Sequence, residues 1–320
     1  MPAVTVAIPG LSDSLPRLAE AGLATLLAWV LLWALIPLLR QRLLDQPNAR
    51  SSHQIPTPRG GGIAFVLVGS LLSAWMGTGA TAWIPLLCAP LAVVGMVDDR
   101  YDLPAALRYA VQLATAVALV AITPLPLPLW FLPVVVVAVT AVINFFNFMD
   151  GLDGLVALCG AILMLAAGLW PVAGALLGFL AWNWSPAKVF MGDVGSTWLG
   201  AVFAGMVLQQ TTAWGALSLL LVAFPLLADA CLCILRRLQA GQPIFQAHRL
   251  HLFQRLQQAG WPHGRVARLY GGATMLLALA RVHGGSTAIM PLVAAELLLG
   301  MGLDRFQALP FRRSAKNGVG

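Results

Sequence analysis

Residues 129–154 read LWFLPVVVVAVTAVINFFNFMDGLDG, and this stretch decides how the chain is built. It opens with an apolar run long enough for a membrane-crossing helix, which needs roughly 20 residues. Toward its end come Asn144, Asn147, Asp150 and Asp153, each three residues from the next. On a helix that spacing makes a polar stripe leaving an apolar span. Gly151 and Gly154 lie beside the two acids, where the backbone can turn sharply or approach a ligand closely. Carboxylates are costly at a membrane border, so a stripe of this kind needs a chemical reason.

The rest of the chain is of the same kind. Of its 320 residues 59% are hydrophobic and 10% charged, whereas soluble domains carry about 25% charge. That excludes an ordinary water-soluble domain and predicts an all-α polytopic membrane protein. Eleven apolar runs lie near 21–39, 61–76, 82–97, 108–122, 129–148, 154–169, 171–184, 197–209, 213–235, 266–281 and 287–303, which implies 10–11 transmembrane helices. Only Trp170-Pro171 separates the sixth run from the seventh. No basic stretch precedes the first run, so it reads as a retained span and not as a signal peptide. Cys88, Cys159, Cys231 and Cys233 all fall inside apolar runs and read as packing residues.

Lys and Arg set the expected orientation. If the loops alternate, 17 of the 19 basic residues fall on one side, leaving Arg17 and Arg281 on the other. The positive-inside rule then places the N-terminus outside and the C-terminus in the cytoplasm. The expected layout is one integral-membrane domain over residues 1–320. It has a periplasmic segment at 1–20, a cytoplasmic loop at 236–264 with an interfacial helix, and a cytoplasmic tail at 304–320. The same parity puts four polar motifs on the cytoplasmic face, where one charged substrate can meet them all. The net charge of +7 also suits anionic lipid or phosphate.

The first motif is Asp98-Asp99-Arg100-Tyr101-Asp102, with Arg108 close behind. Asp98 and Asp102 share a helical face, so their carboxylates can hold a cation or share a proton. Solvated helix-end charge is the bland alternative, and three acids in five residues at a membrane border speak against it. In the second motif, the Asn-Asp stripe offers oxygen ligands suited to Mg²⁺, although Asn144 also suits an interhelical hydrogen bond. The third, Gly192-Asp193-Val194-Gly195-Ser196, precedes a span near Thr197, with Ser196 a candidate N-cap and exposed amides open to an anion. Beside the other acids, Asp193 reads as a metal ligand.

The fourth motif is His248-Arg249-Leu250-His251. If residues 247–258 are helical, His248, His251 and Arg255 occupy one arc and Leu250, Phe253 and Leu256 the opposite one. That predicts an interfacial helix with its apolar side to lipid and its His/Arg side to substrate. A basic helix merely lying on anionic lipid is the alternative. Zinc is disfavoured, because no Cys or further His lies at usable spacing. Asp229 reads either as a structural contact or as part of the cytoplasmic vestibule. His263 and His283 have no local partners.

Together the four motifs resemble the polyprenyl-phosphate N-acetylhexosamine-1-phosphate transferases. The resemblance begins at Asp45-Gln46-Pro47-Asn48 and Pro56-Thr57-Pro58-Arg59-Gly60-Gly61 and runs to about Leu256. Single motifs are unspecific, but the ordered set is specific. His248-Arg249-Leu250-His251 is similar to the O-antigen-initiating branch, whereas the branch using phospho-MurNAc-pentapeptide carries consecutive histidines there. Some relatives place a Lys where this chain has Ser51 and Ser52, which leaves Arg50 or Arg59 for a phosphate contact.

The resemblance implies transfer of a sugar 1-phosphate from a UDP-N-acetylhexosamine, N-acetylglucosamine first, to undecaprenyl phosphate at the bacterial inner membrane. By that resemblance Asn147 and Asp193 ligate Mg²⁺ or Mn²⁺, and Asp98 or Asp99 deprotonates or orients the lipid phosphate, the catalytic set being Asp98, Asp99 and Asp193. Arg108 holds phosphate, Asp150 and Asp153 line the nucleotide-sugar site, and His248, Arg249 and His251 contact the sugar and its phosphate. Arg59, Asp102 and Asn144 complete the substrate-binding candidates. Membrane lipid is a further partner, a homodimer is left open, and no nucleic acid is implied. A cation-coupled transporter is the rival class. It would place ionisable groups near mid-bilayer in two related halves, whereas here the acids collect at one face.

Overall fold

The computed structural model describes residues 11–47, 55–243 and 248–311. The valine run Val134–Val137 would favour a strand in water. In hydrocarbon, every backbone group must be bonded within its own segment, and a helix does this where an open strand cannot. The chain accordingly forms fourteen helices among the described residues. They are α1 (Leu11–Arg42), α2 (Gly62–Met76), α3 (Ile84–Leu87), α4 (Ala89–Tyr101), α5 (Ala105–Ala121), α6 (Leu132–Met149) and α7 (Leu155–Ala166), then α8 (Trp170–Asn183), α9 (Asp193–Leu208), α10 (Ala213–Val222), α11 (Phe224–Gln239), α12 (Leu252–Gln258), α13 (His263–His283) and α14 (Gly285–Phe306). Between α1 and α2 two short strands, β1 (Leu44–Asp45) and β2 (Thr57–Pro58), pair antiparallel with Leu44 opposite Pro58.

Each of the eleven apolar runs is helical, and the protein is an all-α polytopic membrane protein. Leu15–Arg42, Ala80–Tyr101, Leu129–Met149 and Thr287–Phe306 are each long and apolar enough to cross a membrane, and α10 with α11 makes a fifth, bent span. At 1.5 Å per residue α9 rises about 24 Å, less than a bilayer's hydrocarbon thickness. It need not reach across lipid, because it is buried almost throughout, from Val194 to Leu208. Helices α2, α4, α5 and α6 pack around it. Trp198 at its centre is fully buried and donates its indole N–H to the Pro85 carbonyl at 2.9 Å.

Three expectations need correction. The ninth run, 213–235, is not one straight span but breaks at Ala223, where α10 and α11 meet at 78°. Pro225, in the first turn of α11, lacks the N–H that a continuous helix would use and crowds the preceding turn. The expected interfacial helix is shorter, Leu252–Gln258, and does not turn Leu250, Phe253 and Leu256 to lipid, since all three are buried. Burying them against the protein core removes apolar area without needing a membrane surface. Finally, α14 continues to Phe306, so the expected tail begins inside a helix. Arg50, Ser51, Ser52 and the tail beyond Phe311 lie outside the described residues.

Close approach around the start of α9 depends on glycine. A Cβ on Gly95 of α4 would come within 2.5 Å of the Asp193–Val194 peptide. Overpacking of this kind costs about 1–3 kcal/mol. Gly95→Ala is expected to lower the thermal unfolding midpoint in detergent and to lower turnover by displacing Asp193. An unchanged melt with full turnover would contradict this packing.

Candidate active site

The sequence ends α4 early because Pro104 follows, and Asp102 leaves the helix in the left-handed region with φ 49°. Asp98 and Asp99 remain on the last turn and are buried. The Asp98 carboxylate accepts the Leu103 N–H at 2.7 Å and the Arg108 guanidinium at 2.7 Å. The Asp99 carboxylate lies against the Asp193 and Val194 amides, the first of α9, where the helix dipole favours an anion. Its other oxygen, Oδ2, is buried without a hydrogen-bond partner. Arg59 donates to the Asp99 carbonyl and lies 3.8 Å from its carboxylate.

Arg59 is placed by the segment after β2. Gly61 and Gly62 donate their amides to Phe190 and Met191 at 2.9 Å each, and Phe190 donates to Pro58 at 2.8 Å. The turn into α9 needs Gly192, whose φ is 75°, and a side chain there would strike the Asp99 carboxylate. Asp193 thus begins α9 with its carboxylate beside the side chains of Asp98 and Asn147. Arg108 reaches Asp193 at 4.0 Å while bonded to Asp98.

A cleft of about 320 Å³ opens over Asp98, Arg108 and Asp193. Of the expected residues it gathers Asp98, Arg108, Asn144, Asn147, Asp193, His248 and His251. Asn144 also makes the interhelical bond foreseen as its alternative, donating to Gln112 of α5 at 2.8 Å. Asp150, at the end of α6, is pushed up to about 8 by burial and by the charges of Asp193, Asp99 and Asp153. Burial would also raise Asp153. His263, by hydrogen bond and charge, and the Ala187 amide outweigh that and hold it below the usual carboxylate range.

Asp99, Arg59, Asp150 and Asp153 also lie outside the cleft's lining, and three further expected residues are placed away from it. Asp102 is exposed and does not join Asp98, because the helix that would align them has already ended. Arg249 bonds Gln257 at 3.1 Å and does not line the cleft. Arg255 leaves the histidine arc altogether. It is 2% exposed, donates to the Leu250 and Leu309 carbonyls and pairs with Asp304, which also takes a two-pronged contact from Arg236.

Sequence reasoning missed how the fourth motif is held. Asp229 of α11 accepts the Leu252 and Phe253 amides at 2.7 and 3.0 Å, so it caps α12 from another helix. The same carboxylate takes the Tyr270 hydroxyl at 2.7 Å and lies 3.6 Å from His251 Nδ1. Burial pulls His251 down, but Asp229 and Cys233 outweigh it and hold the imidazole at about 9. Of Asp229's two readings, the structural one describes these contacts. Gln112, Tyr109, Thr197 and Gln254 also line the cleft unforeseen. Gln112 could have been found, because it lies one helical turn beyond Arg108 in an otherwise apolar span.

Fold and site together define a polytopic membrane protein with an acidic, arginine-lined cleft at one end of a buried helix. Residues 82–211 match the family described as glycosyl transferase family 4. The decaprenyl-phosphate N-acetylglucosaminephosphotransferase of Mycobacterium leprae (strain TN) is 31% identical over 325 residues, covering 80% of each chain. The chain belongs to this family, the polyprenyl-phosphate sugar-1-phosphate transferases.

Removing the Asp229 charge tests the support of the fourth motif. Asp229→Asn breaks a buried charge pair, His251 Nδ1 and Asp229 Oδ1 being 3.6 Å apart, a loss of about 3–5 kcal/mol. His251 titrates at about 9 when folded against an ordinary 6.5. Its raised value contributes stability fully below pH 6.5, lost as pH rises through 9. The gap between parent and variant melting points should therefore be widest below pH 6.5 and narrow toward alkaline pH. A gap that does not change with pH would show that this pair carries no charge.

Proposed function

We propose that the protein transfers N-acetylhexosamine 1-phosphate, with N-acetylglucosamine the first choice, from its UDP-sugar to undecaprenyl phosphate. The observation that carries this is the meeting of Asp98, Asn147, Asp193 and Arg108 in one cleft. An oxygen of the lipid phosphate attacks the phosphorus bearing the sugar. A new P–O bond forms there as the bond to the bridging oxygen breaks, and UMP departs with that electron pair. The product is a lipid-linked sugar diphosphate. The curated relative supports the sugar and the polyprenyl acceptor by its name, which specifies N-acetylglucosamine and a decaprenyl phosphate.

Donor and acceptor are both anions, so the site must offset their repulsion. Arg108 and Arg59 supply fixed positive charge at the cleft and its edge. The carboxylates of Asp98 and Asp193 lie within hydrogen-bond reach of one another. Like charges this close need a shared proton or a cation, so the donor set fits a divalent ion. Asn147 and Asp193 would hold Mg²⁺ or Mn²⁺, which when bound neutralises phosphate charge and acts as a Lewis acid. Both Asp98 oxygens already have partners, whereas Asp99 Oδ2 has none. Asp98, which lines the cleft, or the buried Asp99 orients or deprotonates the lipid phosphate. His248 and His251 line the cleft beyond Asn147 and contact the sugar phosphate. In this reading the cleft faces the cytoplasm of a bacterial inner membrane, and the product starts a cell-envelope glycan such as O-antigen.

Purified protein incubated with undecaprenyl phosphate and a panel of UDP-sugars is expected to release UMP with UDP-N-acetylglucosamine and to stop when EDTA is added. Release without acceptor, or from none of the sugars, would overturn the reading. Asp193→Asn should remove most turnover while leaving expression near the parent's. Activity within about tenfold, only about 1.4 kcal/mol of barrier, would sink the ligand assignment.

A further inference from the structure

Cys233 on α11 has no part in the transfer reaction, yet the fold places it against the fourth motif. One ligand atom from each of Cys233, His248 and His251 lies within 4.8 Å of the other two. Zinc bonds of ~2.0 Å to His and ~2.3 Å to Cys put ligands of one tetrahedral ion roughly 3.5 Å apart. Side-chain rotation has about an ångström left to close. A second observation comes from His251. Its ring is buried, and Nδ1 has no hydrogen-bond partner. Asp229 beside that imidazole is the type of carboxylate that fixes a metal-bound histidine.

His248 stacks on His251 with ring centroids 5.0 Å apart and opens on the cleft. Its Nδ1 receives one long hydrogen bond, 3.3 Å from the Leu250 amide, which a metal at that nitrogen would replace. Two imidazoles and a thiol suit a soft or borderline cation, unlike the oxygen ligands of Asn147 and Asp193. Sequence spacing hid the site because Cys233 is fifteen residues before His248 and on another helix.

We propose that Cys233, His248 and His251 form a site for a thiophilic divalent cation, with Zn²⁺ as its type, and that filling it shuts the cleft. The fourth position, on the cleft side, is left to water. Shut-off rests on the proposed function, since it works by taking both imidazoles from the substrate. Binding itself does not.

Co²⁺ added to the purified full chain provides a readout independent of turnover. The parent is expected to develop near-ultraviolet thiolate-to-cobalt absorption that Zn²⁺ abolishes. Cys231→Ser should keep that band and Cys233→Ser should lose it. Cys233→Ser should also retain Mg²⁺-supported turnover close to the parent's while needing at least about tenfold more Zn²⁺ for half-inhibition. No band in the parent, or an undiminished band in Cys233→Ser, would overturn the site. A band that depends on Cys233 together with turnover indifferent to Zn²⁺ would keep the site and overturn the shut-off. If no UDP-sugar is turned over at all, the transfer reading fails and the absorption still decides the metal site.

Discussion

The Asp99 carboxylate, set against the first two amides of α9, is the joint on which the rest of the site depends. A helix N-terminus presents unbonded N–H groups and partial positive charge, and an anion satisfies both. Because α9 is buried along nearly its whole length, its start cannot drift, and Asp99 ties the end of α4 to it. Small residues then let the backbones close up. Side chains on Gly62 or Gly95 would push directly into α9 backbone. The result is that Asp98, ending α4, and Asp193, starting α9, are held side by side by elements that neither can leave. Their mutual repulsion is a consequence of the packing, and Arg108 sits between them as partial compensation.

The spans were readable because hydrophobicity in a bilayer protein is nearly the whole signal. Helical repeat also put Asn144 and Asn147 together on the cleft side of α6, but that helix ends at Met149, so Asp150 and Asp153 do not continue its face. It failed for Asp102, where Pro104 and a left-handed residue end the helix before the periodicity applies. It failed again for Arg255, because His248 and His251 precede α12 and do not continue its face. Contacts between distant segments left no periodic trace. Asp229 capping α12, Asp153 pairing with His263 and Arg255 pairing with Asp304 each join residues at least 20 positions apart.

The burial of so many acids has an electrostatic logic. Burial first, and then the charges of Asp193, Asp99 and Asp153, make Asp150 harder to ionise. Such a cluster favours a cation or a proton, and on the proposed reaction it must also admit two phosphates. Cation and anionic substrates are therefore coupled, because either alone leaves the site with a large uncompensated charge.

The cleft has two walls, and they are built by different means. The wall formed by α4, α5, α6 and α9 carries carboxylates, side-chain amides and an arginine, and close backbone contact at Gly95 sets α4 against α9. The opposite wall carries His248, His251 and Gln254. It is held by single side chains from elsewhere, with Asp229 under the start of α12 and Asp304 under Arg255. A wall hung on side chains can change its surface residues without disturbing the backbone joint at α9. His248 and His251 of the fourth motif fall on this second wall. On the proposed reaction, the cation and the lipid phosphate therefore meet the rigid wall, while the supported wall brings His248 and His251 to the sugar phosphate.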